Sequence, residues 1–381
     1  MIYPEFLTYH SLRFILTLAF FLLFSRAYSQ KETLELAANL NTISETHAAI
    51  QSDNLFTTSR SYIETGLSVE LSTNKSRWKL FSNIGLITGA SISNRINDLY
   101  LASNIDARNT IRMQNLWLGY EDKEQNFQLR VGNQAVDDLF MISDRSNFFI
   151  HGAAAYVFTF SMNAPQWPVA SLGLSSSLRL SENERVSFGI YGSDPKVTNE
   201  SINANGFQLI RNYTGALKII EWQKTMDNSL LKFGFFSDNN QFGFSDRKTS
   251  SLNAFYAVKE GLLTSPSSNT QFSYHLGLSR ALNDKTAPIN YDIRAGVFAK
   301  PKTWKKEVTF GLGYFYPHVN QNYLDDLNLR SESFGELSVL LPINKNTTFQ
   351  LSIQYIQGAG AIEGMNSDPS LLGVIRLYYS L

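Results

Sequence analysis

The chain has 381 residues, of which 43% are hydrophobic, 13% aromatic and 17% charged, with 33 basic residues against 33 acidic ones. The aromatic content and the balanced charge exclude a disordered chain and argue against a nucleic-acid partner, which usually shows itself as a basic excess. The absence of cysteine excludes disulfides and thiolate metal sites, and 27 Phe and 18 Tyr beside 10 Pro favour β structure.

The first element is an export signal. Arg13 precedes a run from Phe14 to Phe24 that is apolar except for Thr17, and Arg26 with Ala27-Tyr28-Ser29 forms a small-x-small cleavage site before Gln30. A membrane-spanning helix needs about 20 apolar residues. The run is shorter and suits a signal-peptide core, so residues 1–29 are predicted to be removed near Ser29, leaving residues 30–381 as one domain. An anchored N-terminal helix is the alternative. No later segment approaches that apolar length, which leaves a periplasmic or secreted protein, or an outer-membrane β-barrel.

The remaining chain alternates with period two. In Phe127-Gln-Leu-Arg-Val-Gly, the residues Phe127, Leu129 and Val131 oppose Gln128 and Arg130; Phe349-Gln-Leu-Ser-Ile-Gln-Tyr repeats the pattern. Such alternation marks strands with one wet and one apolar face, and a soluble β-sandwich shares it. Segment length, Gly/Ser/Gln-rich polar faces and aromatics near segment ends (Trp78, Tyr120, Trp222, Tyr314, Tyr316, Tyr355, Tyr379) favour a barrel in lipid. Strands are expected near 33–41, 62–71, 78–88, 111–120, 127–134, 171–180, 185–191, 208–223, 230–237, 252–259, 271–280, 290–299, 307–316, 334–341, 348–357 and 371–381.

The links between them alternate short and long, as periplasmic turns and outer loops do in an up-and-down barrel. The two links 260–270 and 281–289 are of similar length and break this pattern. The fold class is therefore all-β: a transmembrane antiparallel up-and-down β-barrel of about 16 strands. The longest link, 135–170, contains an apolar stretch from Ala153 to Phe160. Counting that stretch as a strand puts later short links on the wrong side, so a long loop folded into the lumen is expected.

The sequence resembles the carbohydrate-selective, OprB-like porin family. The resemblance is carried by Leu116-Trp-Leu-Gly-Tyr, Leu129-Arg-Val-Gly-Asn-Gln, Asp138-Leu-Phe, Phe148-Phe-Ile, the segment from Tyr156 through Trp167-Pro168 to Leu172-Gly, Phe310-Gly-Leu-Gly-Tyr and Leu351-Ser-Ile-Gln-Tyr-Ile-Gln-Gly. Order and spacing carry it, since no single word is specific. The resemblance implies a sixteen-stranded porin that passes small sugars by diffusion. Two departures stand out: residues 30–60 lack the family's Gly- and Trp-rich opening, and the chain ends in Leu381 where many barrels end in Phe.

Little in the sequence points to catalysis. His47, His151, His275 and His318 show no metal-ligand spacing, no Gly-x-Ser-x-Gly elbow is present, and no cofactor is expected. Strand phase points Glu64, Glu70, Arg112, Gln114, Gln128, Arg130, Arg179, Lys232, Asp292, Arg294, Glu336, Gln350 and Arg376 inward. A wet lumen wall explains any one of them. A constriction is the sharper reading: Arg112 and Arg130 flank the long loop, which carries Asp137, Asp138, Asp144 and Arg145. Phe148, Phe149, Tyr156 and Trp167 are candidate stacking rings for sugars, each equally open to a reading as loop packing, and Arg179 and Arg294 complete the basic set. Balanced charge favours neutral solutes.

The expected function is an outer-membrane channel for small carbohydrates in a bacterial outer membrane. The partners are sugars as solutes, outer-membrane lipid and, by analogy, a homotrimer, with no nucleic acid. A general diffusion pore, a structural or secretion-associated barrel and a barrel hydrolase are the alternatives.

Overall fold

The computed structural model describes residues 33–381 except 99, 156–163, 194–205, 208–212, 214, 240–250, 266, 283–286, 288, 303–306, 321–330 and 359–367, with only the backbone of Ala155. The export signal expected over 1–29, with its cleavage site near Ser29, lies outside the described residues, as does Tyr156.

Sixteen strands form one closed antiparallel barrel in which each pairs with its sequence neighbours and the last pairs with the first. They are β1 (Thr33–Gln51), β2 (Asn54–Ser72), β3 (Ser76–Gly89), β4 (Thr110–Asp122), β5 (Phe127–Gln134), β6 (Ser171–Ser181), β7 (Glu184–Ser193), β8 (Gly215–Met226), β9 (Ser229–Asp238), β10 (Leu252–Leu262), β11 (Thr270–Ala281), β12 (Ile289–Pro301), β13 (Thr309–Val319), β14 (Ser333–Pro342), β15 (Thr347–Gln357) and β16 (Ser370–Ser380). The closing seam runs from Asn41↔Ser380 to Gln51↔Ser370. It is extended by reciprocal backbone bonds between Leu40 and Leu381 of 3.2 and 2.9 Å. Closure pairs the backbone along the wall, which is the condition for placing strands in lipid.

Burial is reversed relative to a soluble protein. On β15, Gln350, Ser352 and Gln354 are 0%, 3% and 0% exposed, while Leu351, Ile353 and Tyr355 between them are 46%, 57% and 49% exposed. The same inversion recurs on β12, where Asp292 and Arg294 are buried and Ile293 and Val297 exposed. The apolar face therefore points outward, where hydrocarbon would cover it, and the polar face points into a filled interior. Near the short-turn end, Trp78 packs on Tyr120 with ring centroids 4.9 Å apart, and Trp222 stacks on Phe233 at 6.0 Å. Such rings suit a membrane–water boundary.

The largest departure from the expected strands is at the start. The link expected between 41 and 62 is a two-residue turn, Ser52 and Asp53, with φ of 49° and 63°. Positive φ at both central residues belongs to the tight hairpin turn that matches strand twist. Alternation is weak in these strand halves, because the outer faces mix Thr46, Ala48, Thr57 and Ser59 with Ile50 and Leu55 while the inner faces carry Ala49 and Phe56. β8 is described from Gly215, and residues 208–212 and 214 of its expected start lie outside the described residues, while the links 263–269 and 282–288 are of equal length.

β5 is the shortest strand, and its early end sends the chain inward. It pairs with β4 only between Leu116↔Asn133 and Glu121↔Gln128, after which the chain leaves the wall. The unpaired half of β4 is met by Gly206, whose carbonyl accepts the Met113 N–H at 2.8 Å. Among the described residues of 135–170 there is no strand, only two 3₁₀ turns, Val136–Asp138 and Ser146–Phe148, and one helical turn, Gly152–Ala155.

This segment packs into space left by glycines. A Cβ at Gly311 would lie 2.3 Å from the Phe148 ring, and one at Gly313 would lie 2.7 Å from the Phe149 ring. The glycines of Phe310-Gly-Leu-Gly are thus the sockets for Phe148-Phe149. Gly311→Val is expected to expel Phe148 at a cost of about 1–3 kcal/mol from overpacking. Limited proteolysis should then cut within 135–155 while the barrel stays heat-modifiable; an uncut loop would refute the socket assignment.

Candidate functional site

The barrel interior is divided by what fills it. One apolar cluster joins Ile92, Ile96 and Tyr100 of segment 90–109 and Phe149 and Ile150 of segment 135–155 to inner-face residues of β12–β16 such as Phe315 and Phe334. A second joins Val136, Phe140 and Met141 to Tyr191, Phe236 and Tyr256 on β7, β9 and β10. The two connecting segments also bond to each other: Asn104 N–H donates to the Ile150 carbonyl at 2.7 Å, and Gly152 N–H to the Leu101 carbonyl at 2.8 Å. The inward packing of 90–109 was not legible in the sequence, where it reads as an ordinary outer loop.

Three inner-face glutamates hold segment 135–155. Glu221 accepts the Met141 N–H at 2.9 Å and the Tyr256 hydroxyl at 2.6 Å, with Lys232 at 3.5 Å. Glu260 accepts the Ser143 hydroxyl at 2.5 Å, and that hydroxyl also lies 2.9 Å from His275 Nδ1. Glu336 accepts the Ile150 and His151 N–H groups at 2.8 and 2.9 Å, together with the hydroxyls of Ser338 and Ser352 at 2.6 and 2.9 Å. A buried carboxylate supplied with several donors can stay in the barrel interior, and it fixes whatever donates to it. His151 stacks on Phe334 with centroids 3.9 Å apart, and burial pushes its imidazole down to about 3, so it is neutral.

A second network fixes segment 90–109. The Arg376 guanidinium is bound by Glu45, and it also donates to Asn104 Oδ1 at 2.6 Å and to the Tyr378 hydroxyl at 2.6 Å. Arg60 pairs with Asp106 at 3.1 Å. These arginines are therefore committed to acids of the wall and the loop.

Two cavities lie along the wall from β16 through β1 to β5. One cavity of about 320 Å³ is lined by Glu64, Asn83, Gln114, Trp117, Arg130 and Asp138, among others. A second, of about 350 Å³, is bordered by Tyr62, Asn104, Asp137, Asp138, Arg376 and Tyr378. Asp138 and Trp167 line both cavities and stand between them. Each could hold on the order of ten waters. Arg130 lies over the Trp117 ring at 4.8 Å, and Trp167 meets Tyr62 edge-on at 5.4 Å. The Tyr62 hydroxyl bonds both Glu64, at 2.5 Å, and Gln114, at 2.7 Å.

The acids between the cavities are perturbed. Asp137 is half-buried and accepts the Trp167 N–H at 3.1 Å. Burial, then the neighbouring Asp138 charge, pushes its carboxyl up to about 7. Asp138 opens onto the cavities, yet enclosure within the barrel raises its carboxyl against the opposing pull of the Ala135 N–H and Arg130.

The structure sorts the residues singled out from sequence. Arg130, Asp137, Asp138 and Trp167 come together at the cavities. Arg112 is buried on β4, in the row Glu64↔Gly85↔Arg112, one strand beyond Glu64's neighbour. Arg145 lies 3.9 Å from Glu260 on the far wall, and Arg294 is buried there beside Asp292 at 3.1 Å. Phe148 is half-buried in the apolar cluster and Phe149 wholly buried, so both rings pack the loop in place. Asp144 is exposed. Arg179 is apart from all of these: it donates to the Glu124 carbonyl at 3.4 Å at the short-turn end. Strand phase alone cannot tell how high along the barrel a residue sits, which is why the sequence groups Arg179 and Arg294 with the rest. Missed altogether were Asn83, Asn115, Trp117 and Tyr62 as cavity residues; their signal was proximity in register to Glu64 and Arg130.

Among the described residues, no helix is long and apolar enough to cross a membrane, and no cluster of His, Asp and Glu could hold a metal ion. No curated protein matches the sequence. The fold is similar to that of OprB from Pseudomonas putida at high pH, with a TM-score of 0.79, 15% identity, and coverage of 91% of this chain and 94% of that one. It is also similar to Salmonella typhi OmpF in complex with daunomycin (TM-score 0.63, 10% identity, 91% and 97% coverage). A third likeness is to the trimer form of Vibrio cholerae OmpT (TM-score 0.55, 11% identity, 92% and 100% coverage). The sequence itself matches the carbohydrate-selective porin, OprB family, over residues 27–380. The chain therefore belongs to the OprB family of carbohydrate-selective porins and is an outer-membrane channel, not an enzyme.

Proposed function

We propose that the channel passes small carbohydrates by diffusion, with its selectivity set where Asp138 and Trp167 separate the two cavities. The observation that supports this reading is the lining itself: each cavity combines aromatic rings with charged and neutral hydrogen-bonding groups. Sugar hydroxyls both donate and accept, while their C–H faces pack on rings, so such a lining replaces water around a passing sugar. Conduction needs binding weak enough for release. In this reading segment 135–155 narrows the lumen and Glu221, Glu260 and Glu336 set its position. The export signal over residues 1–29 delivers the chain, and the working unit is a homotrimer by analogy with the OmpT trimer form.

In planar bilayers, glucose is expected to reduce single-channel conductance reversibly. Trp167→Ala should weaken that block about threefold to tenfold, the range for losing one ring contact of about 0.5–1.5 kcal/mol. Conductance without any sugar block would make this a general diffusion pore.

Glu336→Ala leaves two buried loop N–H donors without their acceptor, at a cost of about 1–3 kcal/mol. The variant is expected to show a noisier current with excursions to a larger level, and Glu336→Gln, which keeps an acceptor for only one of the two N–H groups, should fall between Ala and the parent. Equal noise in Ala and parent channels would remove Glu336 from this role.

The Asp137 carboxyl lies above its unfolded range, about 3.9. Its ionisation therefore weakens the folded loop as pH rises from about 4 to about 7, and adds negative charge to the pathway over the upper part of that window. The cation-to-anion permeability ratio should rise between pH 6 and 8, and Asp137→Asn should flatten the rise; a rise that persists unchanged in the variant points to another group.

A further inference from the structure

Resting on the carbohydrate reading, we infer that the pathway favours cationic carbohydrates, protonated amino sugars, over neutral and acidic ones. The overall charge of the chain is balanced, but the charge lining the cavities is not. Three acids border them: Glu64, Asp138 and Asp137, the last only partly ionised near pH 7. Two cations do so, Arg130 and Arg376. Arg376 is already bound by buried Glu45, and Arg130 lies over Trp117, facing Asp138. Arg112 belongs to the same wall but does not line either cavity.

Three amide side chains, Asn83, Gln114 and Asn115, line the first cavity beside Glu64 and Asp138. An ammonium group has three donors and no acceptor, and its charge is matched by the carboxylates of Glu64 and Asp138. Trp167 borders the same space and offers a ring that suits both a sugar's C–H surface and a cation. A neutral sugar satisfies the ring and amides but leaves the acid excess unused. A uronic acid opposes it.

The test compares block of single-channel current by glucosamine hydrochloride, glucose and sodium glucuronate at matched ionic strength and pH 7, with reversal potential in a KCl gradient. The full-length folded protein is used. Glucosamine should block about fivefold more tightly than glucose, glucuronate more weakly than either, and the channel should be cation-selective. In the Glu64→Gln/Asp138→Asn variant the ratio of glucosamine block to glucose block should fall to about one, with heat-modifiable folding retained. Glucosamine block equal to glucose block, or anion selectivity, would overturn the inference and leave the carbohydrate reading intact. The absence of block by any sugar would overturn both.

Discussion

A closed ring of sixteen strands solves the backbone problem in lipid and creates another, because it encloses more volume than a solute filter can use. The wall cannot fill that volume, since its inner side chains extend only partway to the axis. The filling comes from two connecting segments, 90–109 and 135–155, which bring apolar residues into a polar barrel. Apolar side chains are then buried against the few inner-face aromatics and aliphatics on β7–β16, and two cavities are left at the wall of β16 and β1–β5. Their off-centre position is a consequence of where the filling binds.

What binds it is charge used locally. Glu221, Glu260 and Glu336 each turn a buried carboxylate toward loop donors, and Glu45 does the same for Arg376, which in turn holds Asn104. Such groups are poor sources of net stability, because desolvation offsets much of the attraction. They are good at fixing a single arrangement, since each donor left without its acceptor carries a full penalty. Charges that face the lumen thus fall into two populations: those committed to holding the loops, and those left on the pathway.

The barrel was legible in the sequence because lipid and water impose opposite demands on alternate residues, as at Phe349 to Tyr355. The contrast is weak at β1 and β2, whose far halves mix Thr, Ser and Ala with Ile50 and Leu55 outside and place Ala49 and Phe56 inside. The site was legible only in part. Arg130, Asp137, Asp138 and Trp167 could be gathered because they flank one long link, whereas Arg179 shares their inward phase and sits near the short turns. For Phe148-Phe149 the sequence leaves sugar stacking and loop packing equally open. Aromatics suited to a sugar and aromatics suited to a socket are the same residue types, and only the glycines opposite, 311 and 313, distinguish them.

The seam between β1 and β16 also bears on how the molecule is made. Glu45 and Arg376, bound across it, are 331 positions apart in sequence. Joining ends separated by that much chain costs about 5 kcal/mol in loop-closure entropy if nothing lies between them. Zipping neighbouring hairpins first shortens the gap step by step until only the two edges remain. The ring therefore closes last, at a point where one edge strand cannot be present until nearly all of the chain has been synthesised. Until then both edges expose unpaired backbone, so the newly exported polypeptide needs shielding from other chains throughout its passage to the membrane.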